Sequence, residues 1–322
     1  MIQLGQYPAP KHCIAHVSDT HLLGGKRPLY GKVDTDAHLA QALRQIELSG
    51  AKPEAIVFTG DLADLGEPDA YTRLRQLVEP IAERIGAAIV WVMGNHDERA
   101  DYSNLLFDTP LPAEHGSDHP QDRVHDINGL RIISFDTTVP GFHHGEVTDQ
   151  QLSWLAEILA TPAPDGTLLA LHHPPIPTPR LEAMGMLELF DQGRLADVIR
   201  GTDIKAILAG HLHYSTHSTF AGIPVSVAAA TCYTLDLTAE DRLLSGVDSG
   251  QSINFVHVYD EQVVHSIVPV GETVEVTGVS ASVWPQVEAL TREQRHEMFS
   301  NKSSDFNRTD ARVSGDAASA ES

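Results

Sequence analysis

Apolar residues along the chain recur with two different periods. Short runs at Cys13–Val17, Ala55–Thr59, Ala88–Met93, Leu130–Phe135, Thr167–Leu171 and Ile204–Ala209 are bounded by polar turn residues, and each predicts a buried strand. Between them lie longer stretches with helical spacing. In "DTDAHLAQALRQIELSG", Leu39, Leu43 and Ile46 share one face, and Gly50 stands where a helix C-terminus favours a left-handed residue. "YTRLRQLVEPIAERIG" repeats the pattern through Tyr71, Leu74, Val78, Ile81 and Ile85, with Pro80 expected to bend or interrupt it. Thr148 and Gln151 have capping-box spacing ahead of Leu152, Leu155 and Leu159. Such alternation predicts an α/β fold of β-α-β units with a mostly parallel sheet.

After Gly210 the pattern changes. "STHSTFAGIPVSVAAA" and "NFVHVYDEQVVHSIVPV" read as two pairs of short strands around turn residues, so an antiparallel portion is expected there. Apolar density falls beyond Val279, which places one domain at residues 1–278 and a C-terminal extension at 279–322. The end, "NKSSDFNRTDARVSGDAASAES", is too poor in apolar groups to offset the entropy of ordering, and its last twenty or so residues are expected to be disordered.

Five of the strand runs end in a polar burst: "VSDTH" (17–21), "TGD" (59–61), "MGNHDE" (93–98), "ALHHPP" (170–175) and "AGHLH" (209–213). In open α/β sheets ligands bind outside the carboxyl ends of parallel strands, which is where all five would gather. The bursts are rich in Asp, His and Asn, and the chain holds 18 histidines in 322 residues. These are hard oxygen and borderline nitrogen donors without a thiolate, a set that suits Mn, Fe or Zn. Asp19 and His21 are two apart, as are His211 and His213, so in extended backbone each pair projects to one side. Seven donors exceed the needs of one ion, and two ions sharing a carboxylate require about this inventory. Gly60, Gly94 and Gly210 precede three bursts and supply backbone freedom or close approach. Any one burst alone also occurs as an ordinary turn; the argument rests on all five in this order.

Charge and cysteine content narrow the class. Lys and Arg number 22 against 44 acidic residues, a net charge of −22, which disfavours nucleic-acid polymers and anionic membranes as partners. No apolar run reaches the 18 residues of a membrane helix, and the opening segment lacks the pattern of a signal peptide, so a cytoplasmic location is expected. Cys13 and Cys232 lack metal or redox spacing and are expected to pack as small hydrophobes.

With those bursts in view, the sequence resembles the calcineurin-like metallophosphoesterases, whose pattern is DxH, GD, GNH[DE], a histidine after an apolar strand, and GHxH. The resemblance spans roughly residues 14–270. It implies two packed mixed β-sheets flanked by helices, with two metal ions at the strand ends. It places Asp19, His21, Asp61 and His213 on one ion, and Asp61, Asn95, His172 and His211 on the other. Iron and manganese are the metals implied, with Mn²⁺ or Zn²⁺ as alternatives.

Within that superfamily, "LHHPP" and "GHLHYS" are most similar to the class III bacterial 3′,5′-cyclic nucleotide phosphodiesterases. Purple acid phosphatases have a tyrosine ligand three residues after the GD aspartate, where this chain has Asp64. Protein Ser/Thr phosphatases read GDxVDRG, where this chain has "GDLADLGE" and lacks the arginine suited to a dianionic monoester. The implied reaction is attack of a metal-bridging hydroxide on a 3′,5′-cyclic nucleotide, cAMP giving 5′-AMP. His21, Asp61, Asn95, His96 and His213 are expected around the substrate, with His96 as the general acid for the leaving alkoxide; the other reading of His96 is a brace to Asp97 or Asp64. His173 is expected to support the fold. His143 and His144 read as surface-loop residues.

Three alternatives differ in substrate or in kind. One is a broad phosphodiesterase for 2′,3′-cyclic nucleotides, aryl phosphodiesters or glycerophosphodiesters. A non-catalytic scaffold is disfavoured because every ligand position is filled. A nuclease is disfavoured because no Lys/Arg cluster is present. The partner expected is a cyclic nucleotide, with a homodimer left open as the assembly.

Overall fold

The computed structural model describes residues 3–108, 119–272 and 274–308. The chain divides into two compact units, one formed by Pro10–Gly271 and the other by Met1–Ala9 with Glu272–Ser322. The boundary expected after residue 278 falls inside the second unit.

In the larger unit, strands β1 (His12–Val17), β2 (Ala55–Thr59) and β3 (Ala88–Val92) run parallel, and the antiparallel pair β12 (Ser252–Val258) and β13 (Val263–Pro269) extends them into a five-stranded sheet ordered β13-β12-β1-β2-β3. A second sheet is ordered β4-β5-β6-β7-β9-β8, from β4 (Arg123–Ile127), β5 (Leu130–Phe135), β6 (Thr167–Leu171), β7 (Ile204–Ala209), β8 (Thr216–Phe220) and β9 (Ile223–Val227). Two short strands, β10 (Thr234–Leu235) and β11 (Gly246–Val247), pair with each other. The expected antiparallel pairs both form, but they join different sheets, and β9 also pairs in parallel with β7.

Strand alternation explains why two sheets pack rather than one. Ile14, Val57, Val90, Ile132, Leu168, Leu208 and Val256 point into the space between the sheets, while their neighbours point outward beneath helices. Cys13, Ala15, Ile56 and Phe58 meet α1 (Thr35–Leu48) and α2 (Pro68–Ile85) through Leu39, Leu43, Leu74 and Val78. Ile133, Leu169 and Ile207 meet α4 (Asp149–Leu159) and α5 (Gln192–Ile199) through Leu152, Leu155 and Leu195, giving four layers. α3 (Arg99–Leu106) follows β3.

Gly50 has φ 69° just past the end of α1, and Thr148 with Gln151 forms the full capping box of α4, both where the sequence places them; Asp34, which accepts from Ala37 N, opens α1. Pro80 does not interrupt α2, which runs unbroken from Pro68 to Ile85. Pro80 is exposed, so water can satisfy the carbonyl one turn back that its missing N–H leaves unpaired.

In the smaller unit, α6 (Trp284–Ala289) is followed by α7 (Arg292–Ser300) and α8 (Asp305–Arg308). At the start of the stretch expected to be disordered, Phe306 packs edge-on to Phe299 at 4.7 Å and Ser304 Oγ donates to Met298 O at 2.7 Å. The remainder of the expected disordered tail, 309–322, lies outside the described residues. Among the described residues no helix is long and apolar enough to cross a membrane.

Candidate metal centre

All seven candidate donors leave the carboxyl ends of parallel strands. Asp19 and His21 follow β1, Asp61 follows β2, Asn95 follows β3, His172 follows β6, and His211 with His213 follows β7. Backbone bonds tie the loops together: Asp19 N donates to Gly60 O, His21 N to Asp61 O, Gly210 N to His172 O, and Thr231 N to Ser18 O. Asp19, His21, Asp61, His211 and His213 all have left-handed backbone, with φ between 45° and 70°. Non-glycine residues rarely adopt this conformation, and it persists where surrounding structure dictates it.

The side chains converge on Asp61. Its Oδ2 lies 3.3 Å from His21 Nε2 and 3.3 Å from His172 Nε2, and His213 Nε2 lies 3.4 Å from Asp19 Oδ1. Ligand atoms of Asp19, His21, Asp61 and His213 all fall within 4.8 Å of one another. Asn95 Oδ1 is 3.0 Å from His172 Nε2. His211 Nε2 bonds Leu187 O at 3.0 Å, which leaves Nδ1 as its remaining ring nitrogen, and a ring nitrogen of His211 falls within 4.8 Å of one on His172.

The outer nitrogens fix the tautomers. His172 Nδ1 donates to Thr59 O (2.7 Å) and His213 Nδ1 to Tyr233 O (3.0 Å); carbonyls only accept, so in the neutral rings the lone pairs lie on the inward atoms. His21 is held the same way by Asp64 Oδ1 at 2.9 Å from Nδ1, and its buried Nε2 has no hydrogen-bond partner. Inward lone pairs beside two buried carboxylates, with no Lys or Arg paired to either among the described residues, fit a divalent cation. Without a cation the carboxylates instead favour protonated rings, the positive charge that a metal ion would replace. Burial opposes charge on His172, but the Asp61 carboxylate outweighs it and lifts the ring to about 9. Burial likewise works to raise Asp61, yet the neighbouring imidazoles His172 and His96 hold it well below the usual carboxylate range.

His96 is half-buried at the rim. Its Nδ1 donates to Asp64 O at 2.8 Å, its ring centroid is 4.7 Å from that of His21, and its Nε2 has no hydrogen-bond partner among the described residues. Asp97 braces this loop by itself, accepting from Leu62 N, Ala63 N, Gly94 N and Tyr71 OH.

Two neighbours complete the surroundings. Asp64, named from the sequence as the alternative brace for His96, accepts from His96 at its backbone carbonyl and also holds His21 through its carboxylate, a contact the sequence did not show. His143 is exposed in its loop, as expected, and from there receives a hydrogen bond at Nδ1 from Asn95 Nδ2 (2.8 Å) and packs 4.9 Å from His96. That bond orients the Asn95 amide so that Oδ1 faces His172. His144 is half-buried, stacked on Phe190. His173 has both nitrogens engaged, at Thr137 Oγ1 and His143 O. Cys232 packs with Leu23, Leu29 and Val33 as expected, and burial pushes its thiol up to about 12. Beside Asn95 and His96 opens a cavity of about 520 Å³ whose walls mix Leu65, Met93 and Phe142 with Asp64, Glu98 and Thr138.

Residues 13–215 match the model of the calcineurin-like phosphoesterase family. A cAMP/cGMP dual specificity phosphodiesterase from Mycobacterium tuberculosis is 58% identical over 270 residues, covering 84% of this chain and 83% of that protein. The 3′,5′-cyclic adenosine monophosphate phosphodiesterase CpdA of Escherichia coli K12 is 30% identical over 220 residues, 68% of this chain and 76% of its own length. Among solved structures, a dimetal phosphatase from Danio rerio superposes with a TM-score of 0.58 at 14% identity, covering 82% of this chain and 98% of that one, which speaks to the fold alone. Because the matched segment carries all five polar bursts and the strands that bring them together, the chain belongs to the calcineurin-like phosphoesterase family.

Proposed function

We propose that this protein is a dimetal phosphodiesterase that hydrolyses 3′,5′-cyclic nucleotides, converting cAMP to 5′-AMP. The observation that carries this reading is the cluster at Asp61, where the inward nitrogens of His21 and His172 face a buried carboxylate with no Lys or Arg paired to it among the described residues. Asp19, His21, Asp61 and His213 would hold one ion, and Asp61, Asn95, His172 and His211 the other, with iron and manganese as the metals. Two such ions supply a nucleophile from water at neutral pH and neutralise phosphate charge.

The protein's own groups do the rest. Asp64, Thr59 O, Leu187 O and Tyr233 O fix each imidazole so that its inward nitrogen stays available. His143 holds the Asn95 amide in one orientation. His96, anchored at Nδ1, has Nε2 open to give a proton to the departing 3′ oxygen, which leaves poorly as an alkoxide. The nearby guanidinium of Arg99 is engaged by Asp136 and Thr138 O. A singly charged diester therefore suits the site better than a dianionic monoester.

Phosphodiesters beyond 3′,5′-cyclic nucleotides form the second reading. The cavity beside His96 mixes apolar walls (Leu65, Val139, Phe142) with polar ones (Asp64, Glu98, Thr138), a lining not particular to a ribose and base, and aryl diesters fit it as well. We also place the protein in the cytoplasm, where its two free cysteines stay reduced.

The test is to strip the metals, titrate Mn²⁺ back, and follow cAMP, 2′,3′-cAMP and bis(p-nitrophenyl) phosphate side by side. Activity should return as two ions bind per chain, with 5′-AMP as the product from cAMP. Full activity with one ion, or release of 3′-AMP, would overturn the assignment.

A further inference from the structure

We propose that His16, a residue outside the family's motifs, is a positioning residue for Asp19, acting through Thr59 and Ser18 and setting how tightly the first metal is held. The proposal rests on the dimetal reading above.

His16 lies on β1 with its side chain in the space between the sheets, completely buried. From it a chain of side-chain hydrogen bonds runs to the candidate centre. His16 Nε2 is 2.9 Å from Thr59 Oγ1, Thr59 Oγ1 is 2.7 Å from Ser18 Oγ, and Ser18 Oγ is 2.5 Å from Asp19 Oδ2. All four residues are sealed from solvent.

Proton counting fixes the direction of every link. An ionised carboxylate only accepts, so the single hydroxyl proton of Ser18 goes to Asp19. Ser18 must then accept from Thr59, whose single proton is thereby committed. Thr59 in turn must accept from an N–H at His16 Nε2. The other acceptors within reach, Thr59 O for Ser18 and Val17 O for Thr59, lie farther off at 3.4 and 3.5 Å. The assignment requires Nδ1 of His16 to be bare, and that atom is buried with no hydrogen-bond partner. Burial and the nearby His265 also push the ring down to about 3, so it is neutral at pH 7.

The consequence falls on Asp19. Its Oδ2 is held by Ser18 at 2.5 Å, the His211 backbone N–H reaches both oxygens at 3.2 Å, and Oδ1 is turned toward His213 Nε2 at 3.4 Å. Three donors in series, ending in an imidazole locked between two sheets, fix a carboxylate whose own backbone is left-handed. Outer partners of this kind typically change metal affinity by about 10- to 100-fold when removed.

The experiment measures Mn²⁺ binding to the metal-stripped full-length chain by calorimetry. The variants are His16→Leu, His16→Gln, whose amide N–H replaces the Nε2–H, and Thr59→Val, which breaks the chain isosterically with His16 in place. Wild type should take up two ions. His16→Leu and Thr59→Val should each weaken one of the two by about tenfold or more, while His16→Gln stays within about threefold of wild type. Wild-type affinity in both His16→Leu and Thr59→Val would overturn the proposal. So would His16→Gln binding as weakly as His16→Leu while Thr59→Val is unaffected, because His16 would then act through packing. If His16→Leu does not fold, Thr59→Val and His16→Gln decide the matter alone. Wild type that takes up no Mn²⁺ would sink the dimetal reading and this inference with it.

Discussion

Gly94 offers a direct way to move Asp61 without touching its side chain. A Cβ added at Gly94 would lie 2.1 Å from Asp61 N, 2.3 Å from Asp61 Oδ1 and 2.9 Å from Asp61 Cα. Gly94 does not have a left-handed φ, so alanine is compatible with its backbone and the effect of Gly94→Ala is purely steric. The obstructing atoms are mostly backbone, which cannot swing aside. Restoring an ordinary 3.4 Å contact requires the Asp61 amide to retreat by about 1.3 Å. Asp61 also accepts from His96 N at 2.9 Å and faces both His21 and His172, so the shift disturbs every group on that carboxylate. Overpacking of this kind costs about 1–3 kcal/mol of stability. Misplacing a reacting group by about 1 Å can cost on the order of 10²-fold in rate. Gly94→Ala should therefore lower kcat on cAMP about 10²-fold, with weaker Mn²⁺ binding and a lower urea midpoint. Gly193→Ala, in α5 with nothing within 4 Å, is the control and should stabilise by about 0.5–1 kcal/mol with kcat unchanged. Wild-type kcat and Mn²⁺ stoichiometry in Gly94→Ala would refute the reasoning.

Three further outcomes are expected. Asp61→Asn should deplete both metals by mass spectrometry whereas Asn95→Ala depletes one, and equal metal contents would contradict the bridging assignment. His96→Gln should keep both metals and lose about 10²-fold in kcat on cAMP but distinctly less on bis(p-nitrophenyl) phosphate, whose leaving group needs no proton; equal losses would make His96 a phosphate-positioning group. For pH, His16 is held down to about 3 in the folded protein against about 6.5 unfolded, so the unfolded chain binds more protons between those values. Its contribution to stability is complete above pH 6.5 and is lost as pH falls toward 3, at up to about 1.4 kcal/mol per unit. Urea titrations of His16→Gln should show a correspondingly flatter dependence on pH, and an unchanged slope would refute the assignment.

The sequence is most legible where one residue type has one physical use. The five polar bursts, the Thr148–Gln151 capping box and the Gly50 helix end all appear where local pattern placed them. What stayed hidden depends on contacts across the fold. β4, "RVHDI", carries three polar residues in five because it is an edge strand, so it did not read as a strand. The hairpins β8–β9 and β12–β13 look alike in sequence, and only packing sends them to different sheets. His143 reaches Asn95 across 48 positions, and Asp64 matters because His21, 43 residues earlier, turns a nitrogen toward it. The Phe299–Phe306 contact likewise orders a stretch that composition alone marked as too polar.

The division of donors between the sheets bears on how the protein is assembled. The first sheet supplies Asp19, His21, Asp61 and Asn95, and the second supplies His172, His211 and His213. On the donor assignment proposed above, neither sheet would hold a complete set for either ion, because each ion would draw at least one imidazole from the second. A nascent chain that has passed residue 95 carries both carboxylates but must wait more than a hundred residues for His211 and His213. Metal loading would then be a late event in biogenesis, open only to a chain whose two sheets have already closed on each other, and an occupied centre would certify that closure.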